Sequence, residues 1–157
     1  MAPEKAQDAE AAGAAAVALL GRRDFSSTEL AAKLVAQGFA AEAVQSVVAQ
    51  LIERGFVNDV RYLQQFVSYH AARGQGPARI RQQLAALALD AGQVEAALAA
   101  GPDWRALARE VRIRKFGLEV PGDWTERARQ ARFLQYRGFS TDQIRAALGP
   151  ELDSDSA

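Results

Sequence analysis

The 157 residues contain no cysteine and one histidine, His70, which excludes a disulfide framework, a thiolate zinc centre and a cysteine nucleophile. With 49% hydrophobic and 24% charged residues the composition is that of a folded chain, and no run of 18 apolar residues is available for a membrane span. The formal charge of +0 conceals a split, with 5 Lys/Arg against 8 Asp/Glu in residues 1–60, 13 against 7 in 61–137 and 1 against 4 in 138–157.

In chain order, the Ala-rich opening carries Asp8 and Glu10 and lacks a strongly apolar segment, so it does not read as a signal peptide and a cytoplasmic protein is expected. Residues 1–8 are expected as a disordered start, followed by a helix over about 9–21 that ends at Arg22-Arg23. Ser26-Ser-Thr-Glu29 reads as a capping box opening ELAAKLVAQGFAAEAVQSVV, two helices joined at Gly38-Phe39. Asn58-Asp59 opens a further helix over about 59–73, in which Tyr62, Phe66 and Tyr69 recur at helical spacing and read as core. His70 falls beside Leu63 and Phe66 on that wheel and reads as a histidine at the edge of the core.

Gly76-Pro77 starts the next helix, since proline is tolerated in a first turn. RIRQQLAALALDAGQVEAAL, residues 79–98, repeats residues 29–48 at an offset of 50, with Leu84 under Leu34, Val94 under Val44 and Leu98 under Val48. Ala88 stands where the first copy has Gly38, so this turn is expected to differ. A helix over about 103–117 follows, and then a third copy, in which Leu134, Gly138, Phe139, Ile144 and Leu148 fall into register. Asp90 with Gln93 and Ser140 with Gln143 repeat the capping-box spacing.

The pattern predicts an all-α chain of three tandem three-helix repeats: repeat 1 over 9–57, repeat 2 over 58–100, repeat 3 over 101–149, and an acidic tail over 150–157. No run combines β-branched residues with period-2 alternation.

The cationic middle supplies the candidate site. Arg129, Arg132, Phe133 and Tyr136 fall within one arc of a helix, an arrangement suited to a nucleic-acid backbone with stacked bases or to an acidic protein groove. Arg137 closes that segment. Arg105, Arg109 and Arg112 form a stripe on the preceding helix, and Arg114 and Lys115 extend it. Arg79 and Arg81 follow the Gly-Pro helix start, and Arg22, Arg23 and Arg73 end the first helices of their repeats. Cations at helix ends also complement the helix dipole, and rings on such a helix can pack a neighbour, so both readings stay open. Gly74-Gln75-Gly76 offers backbone N–H groups to a phosphate but lacks the Lys-Ser/Thr ending of a P-loop, and a plain turn accounts for it. No nucleophile elbow, metal-ligand spacing or cofactor motif is present, so no catalysis, cofactor or metal is expected.

The phrases ALLGRRDFSSTELAAKL (18–34), LIERGFVNDVRYLQQFV (51–67), GQGPARIRQQL (74–84) and RARQARFLQYRGFSTDQI (127–144), in that order and joined to the repeat, resemble the RecX family of recombinase regulators. The resemblance implies an elongated, curved helical array that binds the filament of the RecA recombinase on single-stranded DNA. It implies inhibition of ATP hydrolysis and strand exchange without chemistry of the protein's own, as a monomer and away from membranes. The rival reading is a helical module that binds nucleic acid directly. Whether the arginines meet protein or DNA is open on the sequence.

Overall fold

The computed structural model describes residues 2–149, with side-chain surroundings from Asp8 onward. The acidic tail expected over 150–157 lies outside the described residues. Among those described, all regular structure is helical: α1 (Ala2–Leu20), α2 (Ser27–Ala36), α3 (Ala41–Glu53), α4 (Asp59–Ala72), α5 (Pro77–Ala85), α6 (Ala91–Ala99), α7 (Trp104–Phe116), α8 (Trp124–Tyr136) and α9 (Thr141–Leu148). Helix α1 begins at Ala2 rather than near residue 9, so residues 2–8 are helical and not the disordered start expected. The alanines that dominate it are the strongest helix formers.

The capping chemistry read from sequence is realised at the starts of α2, α4 and α9, the Arg61 N–H donating to Asn58 Oδ1 at 3.0 Å. Ser26 Oγ accepts from the Glu29 N–H of α2 at 3.2 Å. Ser140 and Gln143 form the full reciprocal box at α9, with the Gln143 N–H donating to Ser140 Oγ and the Ser140 N–H to Gln143 Oε1. Distant carboxylates serve the start of α3 and, again, that of α2. The Ala40 N–H at the head of α3 donates to Asp8 Oδ2 of α1 at 3.2 Å, and Asp59 of α4 accepts from both the N–H and the hydroxyl of Ser27. Orphan N–H groups at a helix start need an acceptor, and here the tertiary fold supplies it.

The Gly38-Phe39 and Gly138-Phe139 turns are Schellman motifs. The Phe39 N–H donates to the Leu34 carbonyl and Gly38 to Val35; Phe139 donates to Leu134 and Gly138 to Gln135. Each glycine is left-handed, with φ 100° at Gly38 and 101° at Gly138. Ala88, their counterpart in the second copy, keeps a left-handed backbone at φ 54° despite its Cβ.

Contacts divide the chain into two compact units, residues 1–63 with 87–90, and residues 64–86 with 91–157. In the first, Ala12 and Ala16 are fully buried and let α1 lie close on a core of Leu30, Leu34, Val44, Val47, Val48 and Leu51. Thr28 Oγ1 donates to the Leu87 carbonyl at 2.9 Å, holding the α5–α6 turn in that unit. The second unit buries Val67, Ile80, Leu84, Val94 and Leu98, together with Ala108, Val111, Leu134, Phe139 and Ala147. The Trp104 indole N–H donates to the Leu98 carbonyl at 3.0 Å.

A left-handed alanine costs about 1–2 kcal/mol, partly offset by the lower chain entropy of alanine in the unfolded state. Ala88→Gly is therefore expected to stabilise the protein by about 0.5–1 kcal/mol, read as a rise in the denaturant midpoint; an unchanged or lower midpoint would show that the turn carries no strain.

Candidate anion-binding face

In the second unit, the start of α5 is laid on the α8–α9 turn by its backbone. The Gly76 N–H donates to the Arg137 carbonyl at 2.8 Å and the Ala78 N–H to the Gly138 carbonyl at 3.0 Å. A Cβ at Gly76 would stand 2.5 Å from the Gly138 carbonyl carbon, and one at Gly138 would stand 2.5 Å from Arg79 Cβ. The N–H groups that might have cradled a phosphate are thus spent on carbonyls, and the glycines are there for close approach. A side-chain bond from Arg137 Nη1 to the Arg73 carbonyl, 3.3 Å, reinforces the clasp.

The clasp gathers cations from α4, α5, α7 and α8 over aromatic rings. Arg73 lies over Tyr69 at 4.6 Å, Arg79 over Tyr136 at 5.6 Å, and Arg137 and Lys115 over Phe133 at 5.2 and 5.7 Å. Phe133 meets Phe116 edge-on at 5.3 Å, and Arg129 lies over Phe116 at 5.1 Å. Rings hold guanidinium groups in place without neutralising them, leaving the charge for an anionic partner. Tyr136 is 79% exposed, with its ring beside Arg79, Gln82 and Gln135. Tyr69, read as core from its spacing, is instead 55% exposed and carries Arg73 one turn further along α4. His70 packs against Phe66 and Tyr69 with ring centroids 4.2 and 5.1 Å away. Burial lowers its pKa, with the Arg73 charge adding to that and the Gln75 side chain opposing it.

Other cations named from the sequence take other places. Arg81 is bound bidentately by Glu95 at 2.7 and 3.1 Å, Arg105 by Asp142 at 2.8 Å, and Arg129 by Glu126 at 3.0 and 2.8 Å. The Arg129 and Gln130 bonds hold the Glu126 pKa down at about 2, so the pair persists throughout the neutral range. In the first unit Arg23 pairs with Glu29 at 2.7 Å and lies over Phe25, while Arg22 is exposed. Arg109 and Arg114 are exposed on α7. Arg132 is exposed and lines a groove between α8 and α9.

Arg112 is a correction. It was expected on the docking stripe, yet it is 1% exposed and donates to the carbonyls of Ala147, Gly117, Glu119 and Leu118 and to Gln130 Oε1. Its neighbour in role is Arg127, 6% exposed, which donates to the Leu148 and Gly149 carbonyls. The two arginines cap the last turn of α9, whose terminal carbonyls have no partner within the helix. The repeat itself is altered to allow this. Position 130 is glutamine where the earlier copies have Leu30 and Ile80, and its side-chain carbonyl meets the buried guanidinium. Among the described residues no group of His, Asp and Glu is placed to hold a metal ion.

Comparison with known proteins decides the family. Models described as the first, second and third three-helix domains of RecX match residues 12–51, 58–98 and 103–148. The chain belongs to the RecX family. It is 45% identical over 130 residues to "Regulatory protein RecX" of Pseudomonas syringae, covering 82% of this chain and 84% of that one. The protein of the same name from Halorhodospira halophila is 43% identical over 147 residues, covering 93% and 91%. The crystal structure of RecX from Lactobacillus salivarius shares the fold at a TM-score of 0.80 with 19% identity, over 91% of this chain and 96% of that one. These RecX relatives thus support tandem three-helix repeats and a regulatory protein. No helix among the described residues is long and apolar enough to cross a membrane.

Arg112→Ala leaves the buried Ala147 carbonyl and Gln130 Oε1 without this donor and frees the loop carbonyls of residues 117–119, and is expected to cost about 3–5 kcal/mol of unfolding free energy. Arg109→Ala, on the exposed side of the same helix, is expected to stay within about 0.5 kcal/mol of the parent. Equal stabilities for the two in urea denaturation would return Arg112 to the surface.

Proposed function

We propose that this chain is a non-enzymatic regulator that binds the RecA–single-stranded DNA filament and inhibits its ATP hydrolysis and strand exchange, in DNA repair and recombination. Membership of the RecX family supports the regulatory role. The single observation that carries the docking mode is the set of cations at the clasp, Arg73, Arg79, Arg137 and Lys115, each backed by a ring and none ion-paired among the described residues. Such a face meets an anionic surface with little rearrangement, so less of the binding energy is lost in ordering side chains. We place the protein in the cytoplasm, acting as a monomer without cofactor or metal. Arg22, Arg109 and Arg114 are secondary contacts in this reading; Arg81, Arg105 and Arg129 are already paired and contribute less.

One observation favours direct contact with nucleic acid as part of that docking. Tyr136 is open to solvent with Arg79 beside its ring, a shelf on which a base can stack. The rival reading, a nucleic-acid module with no recombinase target, rests on the same shelf.

Recombinase ATPase activity on single-stranded DNA, titrated with this protein, separates the two. The wild type is expected to inhibit, and Arg73→Glu with Arg79→Glu to raise the half-inhibitory concentration at least about tenfold with helicity unchanged, equivalent to about 1.4 kcal/mol. Arg81→Gln is expected to shift it less than twofold. Inhibition by the double variant equal to wild type would discard this face. Absence of any inhibition by the wild type, with binding to bare single strands that falls with salt at a log–log slope of about −3 to −4, would instead establish the rival.

A further inference from the structure

We propose that the pocket between α5 and α8 receives one unpaired nucleobase of a DNA single strand, and that Gln83 makes it selective for adenine. The proposal rests on the direct nucleic-acid contact inferred above and names the part of the ligand that is read. The pocket lies within the second unit and is walled by Tyr136, Arg79 and three glutamines, Gln82, Gln83 and Gln135, with no Asp or Glu in the lining. Its volume of about 540 Å³ falls within the range of small-molecule sites, ~300–1,000 Å³. Tyr136, 79% exposed, offers a ring on which a base stacks. Arg79, 5.6 Å from the centroid of that ring and without an ion pair among the described residues, is placed for the phosphate that accompanies the base.

Gln83 supplies the reading. It is half-buried, and its Oε1 is withdrawn from solvent with no hydrogen-bond partner among the described residues. An acceptor kept from water and left unpaired is destabilising, so an occupant that brings an N–H is favoured by relieving it. The last torsion of a glutamine side chain is soft and two-fold, and a half-turn exchanges the oxygen with the amino group, delivering the oxygen to the occupant. The amide then presents an acceptor beside a donor. Adenine answers that pair on both of its polar edges, with the N6 amino group beside N7 on one and beside N1 on the other. Cytosine does so on one edge only, and thymine carries no amino group. Gln82 and Gln135, both exposed, line the same pocket and are free to meet the edge that remains. Neutral amides add nothing to attraction for the backbone; what they direct is hydrogen bonding to a base.

The test measures binding of the full chain to fluorescent single strands of about 12 nucleotides, with no recombinase present. Strands of deoxyadenosine are compared with strands in which every adenine is replaced by purine, which keeps the rings and removes the 6-amino group. The wild type is expected to bind the purine strand at least about fivefold more weakly. Gln83→Leu, a substitution that suits a helix, is expected to bind the two strands alike, with helicity and salt slope unchanged. Arg79→Gln is expected to weaken both strands together and to flatten the log–log salt slope by about 0.7, keeping their ratio. Tyr136→Ala is expected to weaken both at least about fivefold without changing the slope, through loss of the stack. Equal affinity of the wild type for the two strands, or a preference that survives Gln83→Leu, would overturn the base reading while leaving backbone contact in place. Binding to neither strand would overturn this pocket and direct DNA contact together, and would leave inhibition through protein contact to the ATPase titration.

Discussion

The organisation of the second unit depends on one close approach, the backbone of Gly76 and Ala78 against that of Arg137 and Gly138. Two hydrogen bonds at 2.8 and 3.0 Å are modest in themselves, each of the order of 1 kcal/mol net. Their consequence is geometric, because they fix the first turn of α5 against the last turn of α8. Arg79 is thereby set beside Tyr136, and Arg137 beside Arg73. Any side chain at Gly76 or Gly138 would drive atoms to 2.5 Å, so two glycines far apart in sequence form a single constraint.

Arginine serves two opposite ends in this chain, and burial separates them. Arg112 and Arg127 are withdrawn from solvent and spend their donors on carbonyls at the end of α9 and the loop that follows α7. A buried guanidinium is tolerable only when its donors are met, and here main-chain oxygens and one glutamine meet them without a carboxylate. Arg73, Arg79 and Arg137 keep their charge toward solvent and are steadied by rings instead. A charge count along the sequence adds the two groups together; only the second is available to a partner.

Much of the helical framework was legible because its signals are local. The 50-residue period, the serine caps and the glycine turns all depend on residues within one or two turns of each other, and Ser140–Gln143 and Gly138-Phe139 appear in the structure as read. What was not legible depends on partners distant in the chain. Asp59 reaching Ser27, and Asp8 reaching Ala40, cross 32 residues, and no spacing announces them. The Gly74-Gln75-Gly76 stretch read as a plain turn, and Gly74 and Gln75 do bond back to Ala71 and His70, but no spacing announced that the Gly76 N–H reaches the Arg137 carbonyl. Arg112 was misplaced because its wheel position matches a surface stripe. The one available signal was Gln130, a polar residue in a register that is apolar in the other copies. Tyr69 erred in the other direction, since aromatic spacing alone does not say which side of α4 is covered.

Display of the ring-backed cations therefore depends on glycine-mediated contact between the start of α5 and the α8–α9 turn. Amide hydrogen exchange of Gly76→Ala, paired with its inhibition of recombinase ATPase, tests this most directly. Loss of protection at Ala78, with α7 and α8 still protected and inhibition weakened at least about tenfold (about 1.4 kcal/mol), is the expected result. Unchanged protection at Ala78 and undiminished inhibition would contradict it.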